Sequence, residues 1–254
     1  MTTDRQTPAL ALTEAVRATL AAHADPAQAG PMQAYMKSAL PFHGVPAPLR
    51  RQLVKAAAAQ VTGGVRDPAV DPFADADALC AAVLTLWRGA THREQRYAAL
   101  DLLRLPRAKK NVGLQCLPML EELIETGPWW DHNDEISGEA LSLVLQRHPT
   151  EVKPLLRRWA TRPNLWFRRA AMLCQRGLRE AHFDAALLYD CILPSLKPDP
   201  LAGEFFIRKG MGWALRERSD DAPAEVEAFC AEHRQRLSPL TVREALRRLK
   251  KRHP

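Results

Sequence analysis

The chain has 254 residues, of which 46% are hydrophobic and 26% are charged, and this composition excludes an intrinsically disordered chain. Its formal net charge is +7, from 36 Lys and Arg against 29 Asp and Glu. Such an excess favours a polyanionic partner, most often nucleic acid, although a basic protein without such a partner has the same balance. The length allows one large or two ordinary domains and a buried core without disulfides.

The cysteines and histidines argue against metal and disulfide chemistry. The five cysteines are scattered without a CxxC pair, as in proteins of a reducing cytoplasm, and the eight histidines show no HxH or HExxH spacing. No glycine-rich phosphate-binding loop occurs. The first residues lack the pattern of a secretory signal, and no apolar run is long enough to span a membrane. We therefore expect a cytoplasmic protein that needs no cofactor, metal or membrane.

Apolar residues recur at helical rather than alternating spacing along almost the whole chain. We expect an N-terminal helical cap over residues 1–65, a loop over 66–76, and repeated helices over 77–254, all within one domain of residues 1–254. In the segment ADALCAAVLTLW, for example, Leu79, Val83 and Leu86 recur at i, i+4 and i+7. The fold class predicted from this spacing is all-α.

Proline and glycine separate the later periodic blocks and indicate short helices joined by tight loops. Blocks with helical spacing occupy residues 117–125, 136–148, 165–178, 183–196, 204–217, 223–236 and 241–252. Ser238 followed by Pro239 is typical of a helix start. About a dozen helices in pairs of roughly 35–45 residues fit either a HEAT-like solenoid or a compact helical bundle. The basic segment 243–254 fits an extra DNA contact or a solvated helix end equally well.

The segment TGPWWDHNDE, residues 126–135, carries the first candidate site. Gly127 and Pro128 mark a helix start, so Trp130 and Asp134 lie one turn apart on the same face, near the end that favours an ionised carboxylate. Trp129 points about 100° away and is expected in the core. The alternative is that Trp130 is a core residue and the aspartates only cap the helix.

Two further stretches combine tryptophan with cations. Trp166 shortly precedes Arg168 and Arg169, and a second stripe places Lys209, Trp213 and Arg216 at i, i+4 and i+7. Cations beside an aromatic ring suit a phosphate backbone next to a stacked base. The alternative is that these cations extend over buried tryptophans toward solvent.

Six segments in chain order resemble the AlkD-like DNA alkylation repair family: residues 35–51, 86–103, 129–134, 165–173, 205–219 and 238–249. The resemblance implies a HEAT-like solenoid whose concave basic face holds duplex DNA. It also implies a monofunctional DNA glycosylase, which hydrolyses the N-glycosidic bond of cationic N3- or N7-alkylated purines and leaves an abasic site. Members of the family do this without flipping the lesion into a tight pocket.

The resemblance assigns roles to particular residues. Asp134 matches the catalytic carboxylate, which would stabilise an oxocarbenium-like sugar and orient a water, and Trp130 and Trp213 match the aromatic walls that face a cationic nucleoside. Arg169, rather than Arg168, matches the cleft arginine and is expected to grip a phosphate. The remaining expected DNA contacts are Arg168, Lys209, Arg216 and Trp166.

Some features depart from the family or leave alternatives open. Asn133 is polar where the family is usually apolar, and the segment 182–203 is slightly long, which affects the pairing of Arg169 with Trp213. A non-catalytic helical-repeat module that binds DNA or protein is one alternative. A self-resistance glycosylase for bulky adducts is another. In each case we expect a monomer that needs no metal ion.

Overall fold

The computed structural model describes residues 6–65, 67–178 and 180–249, and every regular element in these ranges is helical. The predicted all-α fold class is therefore confirmed. None of the described helices combines the length and hydropathy needed to cross a bilayer. The chain divides into two compact units, residues 1–119 and 120–254. This boundary falls inside the segment predicted to hold the repeats. The described residues of the predicted loop, 67–76, belong to the first unit and include a 3₁₀-helix, Pro68–Val70.

Six α-helices build the described part of the first unit up to residue 109. They are α1 (Gln6–Ala22), α2 (Pro26–Met36), α3 (Ala47–Thr62), α4 (Ala76–Arg88), α5 (Arg93–Leu102) and the single turn α6 (Pro106–Lys109). The helices α3 and α4 both pack against α1. Leu79, Val83 and Leu86 are fully buried on α4, as their spacing predicts. The side chain of Asp75 caps this helix by accepting a hydrogen bond from the backbone N–H of Ala78 at 2.8 Å.

A buried carboxylate organises the connection between α2 and α3. Glu94, on α5, is inaccessible to solvent and accepts hydrogen bonds from the backbone N–H groups of His43, Gly44 and Val45 at 3.0, 2.8 and 3.1 Å. Gly44 has a φ of +87°, and a Cβ there would lie 2.0 Å from the carbonyl oxygen of Asp25. The glycine therefore allows the chain to fold closely over Glu94.

The second unit contains α8 (Trp130–Glu135), a π-helical segment (Ile136–Leu141), and α9 to α15. The bounds of these last helices are Ser142–Arg147, Pro149–Trp159, Leu165–Leu173, Ala185–Ile192, Phe205–Arg218, Pro223–Glu232 and Pro239–Ala245. The helix α7 (Leu117–Thr126) includes the boundary between the units. The helix α11 packs against α8 and α13, and α13 packs against α15. These four helices therefore contact one another in the order α8, α11, α13 and α15.

The helices α13 and α15 approach closely because one position between them lacks a side chain. A Cβ at Gly212 would lie 2.6 Å from Cβ of Glu244 and 3.0 Å from the carbonyl oxygen of Thr241. The predicted start of α15 is confirmed: the Ser238 hydroxyl accepts a hydrogen bond from the backbone N–H of Thr241 at 3.0 Å, with Pro239 as the first helical residue. Of the basic segment 243–254, residues 250–254 lie outside the described ranges.

Candidate active site in the second unit

The helix α8 presents the tryptophan and the aspartate that the sequence analysis singled out. Trp129 has extended backbone angles, φ −149° and ψ 153°, and the helix begins at Trp130. Trp130 and Asp134 are therefore four residues apart on one short helix, as predicted. Trp130 is half-buried and Asp134 is 8% exposed. The π-helical segment follows directly after Glu135, and such wide turns occur often at functional sites.

Asp134 forms a two-pronged ion pair with Arg169 of α11. The Nε and Nη2 atoms of Arg169 donate to Oδ1 and Oδ2 of Asp134 at 2.8 and 2.9 Å. The third nitrogen, Nη1, donates to the carbonyl oxygen of Phe206 on α13 at 2.7 Å. Arg169 is only 3% exposed, and a Cβ at Gly210 would lie 3.1 Å from its Nη1. A small residue on α13 therefore leaves room for the guanidinium that orients the carboxylate.

The electrostatics at Asp134 are a balance between burial and neighbouring cations. Burial raises the pKa of the Asp134 carboxyl above its ordinary value, and the hydrogen bonds and charge of Arg169 act in the opposite direction. Arg176 also lowers this pKa, while the negative charge of Asp131 raises it slightly. A buried carboxyl with a raised pKa is typical of functional positions.

Arg176 is a site residue that the sequence analysis missed. Its Nη2 donates to the backbone carbonyl oxygen of Asp134 at 3.1 Å, and its Cζ lies 4.2 Å from the ring centroid of Trp213. The indole Nε1 of Trp213 donates to Oε1 of Glu217 at 3.1 Å. Arg176 lies seven residues after Arg169 in the block 165–178, but α11 ends at Leu173 and Arg176 lies in the turn beyond it. Helical spacing therefore did not indicate its contacts.

The other aromatic residues form a packed cluster beneath α8. The ring centroids of Trp129 and Trp166 lie 6.3 Å apart, and both rings contact Phe206, at 5.4 and 5.1 Å. Trp166 is 7% exposed, and its carbonyl oxygen accepts a hydrogen bond from Nδ2 of Asn133 at 2.8 Å. The structure therefore places Trp166 in the packing between α8 and α11, whereas DNA contact was expected. The polar Asn133 joins the same two helices.

Besides Arg169, three cations were expected to contact DNA, and two of these three are buried against the protein's own acceptors. Arg168 is 6% exposed, pairs with Oδ1 of Asp199 at 2.9 Å and donates to the carbonyl oxygen of Arg162 at 2.6 Å. Arg216 is 8% exposed and donates from Nη1 to Oε2 of Glu244 at 2.6 Å. Lys209, whose side chain is 39% exposed, pairs with the other oxygen of Glu244 at 2.8 Å. Among these three, only Lys209 keeps appreciable access to solvent.

The structure thus links Asp134, Arg169, Arg176 and Trp213 by direct contacts, and it holds Trp130 on the helix of Asp134. Arg169 rather than Arg168 contacts Asp134. Its guanidinium, however, faces a carboxylate and a carbonyl oxygen, whereas a phosphate contact was expected. Among the described residues, no cluster of three or more His, Cys, Asp or Glu has an arrangement suited to a metal ion.

Comparison with known proteins identifies the family of the chain. Residues 16–249 match the family described as DNA alkylation repair enzyme. The chain is also similar to a solved structure described as a predicted DNA alkylation repair enzyme from Enterococcus faecalis, with a TM-score of 0.67 and 29% sequence identity over 90% of this chain and 97% of that one. No curated protein matches the chain. Because the family match includes almost the whole chain and every residue of the site, the protein belongs to the DNA alkylation repair enzyme family.

Proposed function

We propose that the protein is a monofunctional DNA glycosylase that excises cationic N3- and N7-alkylated purines from duplex DNA. The observation that carries the proposal is the buried Asp134 carboxylate, which Arg169 orients through two hydrogen bonds one helical turn from Trp130. Family membership supplies the setting, since it implies alkylated DNA as the substrate. We further propose that the enzyme acts as a cytoplasmic monomer and needs no metal ion or cofactor.

Excision of such a base needs no strong general acid. A purine alkylated at N3 or N7 is cationic, so the electrons of the breaking N-glycosidic bond neutralise the base as it departs. The positive charge that remains develops on the sugar, and an adjacent carboxylate stabilises it electrostatically. The two hydrogen bonds from Arg169, which hold both oxygens of Asp134 in a defined orientation, support this role.

Asp134 also retains the capacity to orient the attacking water. A carboxylate has about four acceptor positions, of which the two hydrogen bonds from Arg169 use only two. A water held at a remaining position adds its oxygen to the anomeric carbon of the sugar, and its proton passes to the carboxylate or to solvent. The products are a free base and an abasic site.

Some of the remaining site residues are proposed to contact DNA, and Arg169 is proposed to contact only the protein. Trp130 and Trp213, both half-buried, offer aromatic faces to a cationic nucleoside. Arg169 acts in this proposal as the residue that orients Asp134, in place of the phosphate contact expected from the resemblance. Lys209 is proposed to contact a phosphate because its side chain is 39% exposed, and a Schiff-base step is not proposed.

The test is release of free 7-methylguanine from a duplex that contains one such lesion. We expect the wild-type protein to release the base and to leave an alkali-labile site without cutting the strand. Asp134→Asn should lower the single-turnover rate about 100- to 1,000-fold, the usual loss for one preorganised charge-stabilising group, while it still binds the duplex. A wild-type protein that binds this duplex and releases no base would contradict the proposal.

One observation favours a second candidate, a binding module without excision. Arg169 contacts both Asp134 oxygens, and a purely structural ion pair has the same geometry. In that case Asp134→Asn would lower the stability of the fold, and neither the wild-type protein nor this variant would release 7-methylguanine. Thermal unfolding of the two proteins beside the excision assay therefore separates the candidates.

A further inference from the structure

A single guanidinium connects the backbone of Asp134 to the ring of Trp213. Arg176 lies just beyond α11 and is half-buried. Its Nη2 donates to the Asp134 carbonyl oxygen at 3.1 Å, while its Cζ lies 4.2 Å from the Trp213 ring centroid. A planar guanidinium both stacks on an aromatic ring and donates in defined directions, so it fixes the two groups relative to each other.

A glycine in the helical segment after Asp134 leaves room for the Arg176 side chain. Gly138 lies in the π-helical segment, and a Cβ there would lie 2.4 Å from Nη2 of Arg176. The hydroxyl of Ser137 donates to the carbonyl oxygen of Asn133, the residue before Asp134. Side-chain donors therefore reach two successive carbonyl groups at the point where the helix widens, as expected where the regular backbone ladder is interrupted.

We propose that Arg176 is a positioning residue of the site, which holds the Trp213 ring against the turn that carries Asp134. The proposal rests on the glycosylase function proposed above. Because Arg176 covers one face of the indole, a cationic base can stack only on the other face. Arg176 thereby determines on which side of Trp213 the lesion lies relative to the carboxylate.

The positive charge of Arg176 also affects the ionisation of the Asp134 carboxyl. The charged groups that act on Asp134 are Arg169 from α11, Arg176 just beyond it, and Asp131 on its own helix. The attraction of Arg176 lowers the pKa of Asp134, against the rise that burial causes. Loss of this cation therefore shifts the ionisation of Asp134 to higher pH, an effect that lost packing alone does not produce.

The experiment uses the full chain labelled with 5-fluorotryptophan, with the Trp213 resonance assigned by its loss in Trp213→Phe. Arg176→Met removes the cation and keeps an unbranched chain. Gly138→Ala leaves Arg176 in place but puts a methyl group where its guanidinium lies. The matched control is Arg162→Met, because Arg162 stacks on Phe167 at 4.2 Å elsewhere in the same unit.

We expect Arg176→Met and Gly138→Ala to move the Trp213 ¹⁹F resonance and to lower single-turnover excision about 10- to 100-fold at saturating DNA. DNA affinity should stay unchanged, and Arg162→Met should leave both the resonance and the rate at wild-type values. Arg176→Lys should restore the acid limb of the wild-type pH profile without restoring the resonance, because lysine retains charge but not planar stacking.

An unmoved Trp213 resonance in both Arg176→Met and Gly138→Ala would overturn the proposal. A loss of rate no greater than that of Arg162→Met would do the same. The fluorine signal does not depend on catalysis. If the wild-type protein released no base, the proposed function would fail, while the resonance would still decide whether Arg176 positions Trp213.

Discussion

Arg169 and Asp134 meet through two nearly equal hydrogen bonds, at 2.8 and 2.9 Å, and both residues are buried. The neighbouring Arg168 is equally buried but pairs with Asp199, on the segment after α12. Two adjacent arginines on α11 therefore pair with different carboxylates, because successive helical positions point about 100° apart. This pair of residues provides a matched comparison between a site arginine and a structural one.

Arg169→Met should lower single-turnover excision about 100-fold and raise the pKa of Asp134, because it removes the hydrogen bonds that oppose the effect of burial. Arg168→Met should leave the pH dependence of excision unchanged, since Arg168 contacts Asp199 and carbonyl groups away from Asp134. Rates measured for both variants on the same 7-methylguanine duplex check the prediction. Equal pH profiles in the two variants would contradict it.

The raised pKa of Asp134 predicts an acid limb in the excision rate. Ordinary aspartate ionises near pH ~3.9, and burial moves the ionisation of Asp134 above this value. Excision that needs the carboxylate should therefore decline as the pH falls, beginning at a higher pH than for an ordinary aspartate. The same shift makes ionised Asp134 a cost to folding, so its contribution to stability decreases as the pH rises through this pKa.

A pH series of single-turnover rates gives the position of this limb. Asp134→Asn provides the baseline, since its residual rate should show no such limb. A wild-type rate that stays constant down to the pKa of ordinary aspartate would show that Asp134 is not the titrating group.

The sequence predicted the placement of Asp134 well because local rules determine it. Gly127 and Pro128 indicated a helix start close to the tryptophans without reference to other helices, and α8 begins at Trp130. The resemblance picked out Arg169 as a site residue, but with a phosphate as its expected contact. The pairing of Arg169 with Asp134 was not predicted, because it depends on how α8 packs against α11.

Glu244→Gln should destabilise the protein at neutral pH by about 2–4 kcal/mol, because it leaves the charges of Lys209 and Arg216 without their shared carboxylate. The hydrogen bond from Lys209 and the charge of Arg216 lower the pKa of Glu244. A lowered pKa stabilises the fold above the unfolded value of about 4.3, and this stability is lost as the pH falls through the folded pKa. The difference between wild type and variant should therefore shrink below that pH.

Chemical unfolding of both proteins at neutral and acidic pH measures this difference. A gap that stays constant with pH would mean that Glu244 acts through packing rather than through its charge.

Gly212→Ala should destabilise the second unit by about 1–3 kcal/mol, the usual cost of overpacking a close contact. The added Cβ would lie 2.6 Å from Cβ of Glu244, and neither helix can yield without a backbone shift. Gly203→Ala is the control, because a Cβ there meets no atom within 4 Å. Urea unfolding followed by tryptophan fluorescence compares the variants. Equal midpoints for the two would contradict the close packing of α13 on α15.

The contacts of the cations were predicted less well than the position of Asp134, because they depend on packing between helices. The spacing of Lys209, Trp213 and Arg216 correctly indicated one stripe of α13 but could not show what faces that stripe. Lys209 and Arg216 pair with Glu244 of α15, whereas Trp213 contacts Arg176 from the segment after α11. Arg176 went unrecognised because α11 ends at Leu173, before the end of the predicted block 165–178, so helical spacing could not show that Arg176 contacts Trp213.

The internal pairing of arginines has a consequence for the salt dependence of DNA binding. Four buried arginines each have a carboxylate partner within the second unit: Arg168, Arg169, Arg216 and Arg218. Binding becomes weaker with salt in proportion to the number of phosphates that protein cations neutralise, since each contact releases a counterion from the duplex. Arginines already neutralised inside the fold release none. The affinity for undamaged DNA should therefore respond to ionic strength through the exposed cations, and less steeply than 36 basic residues imply.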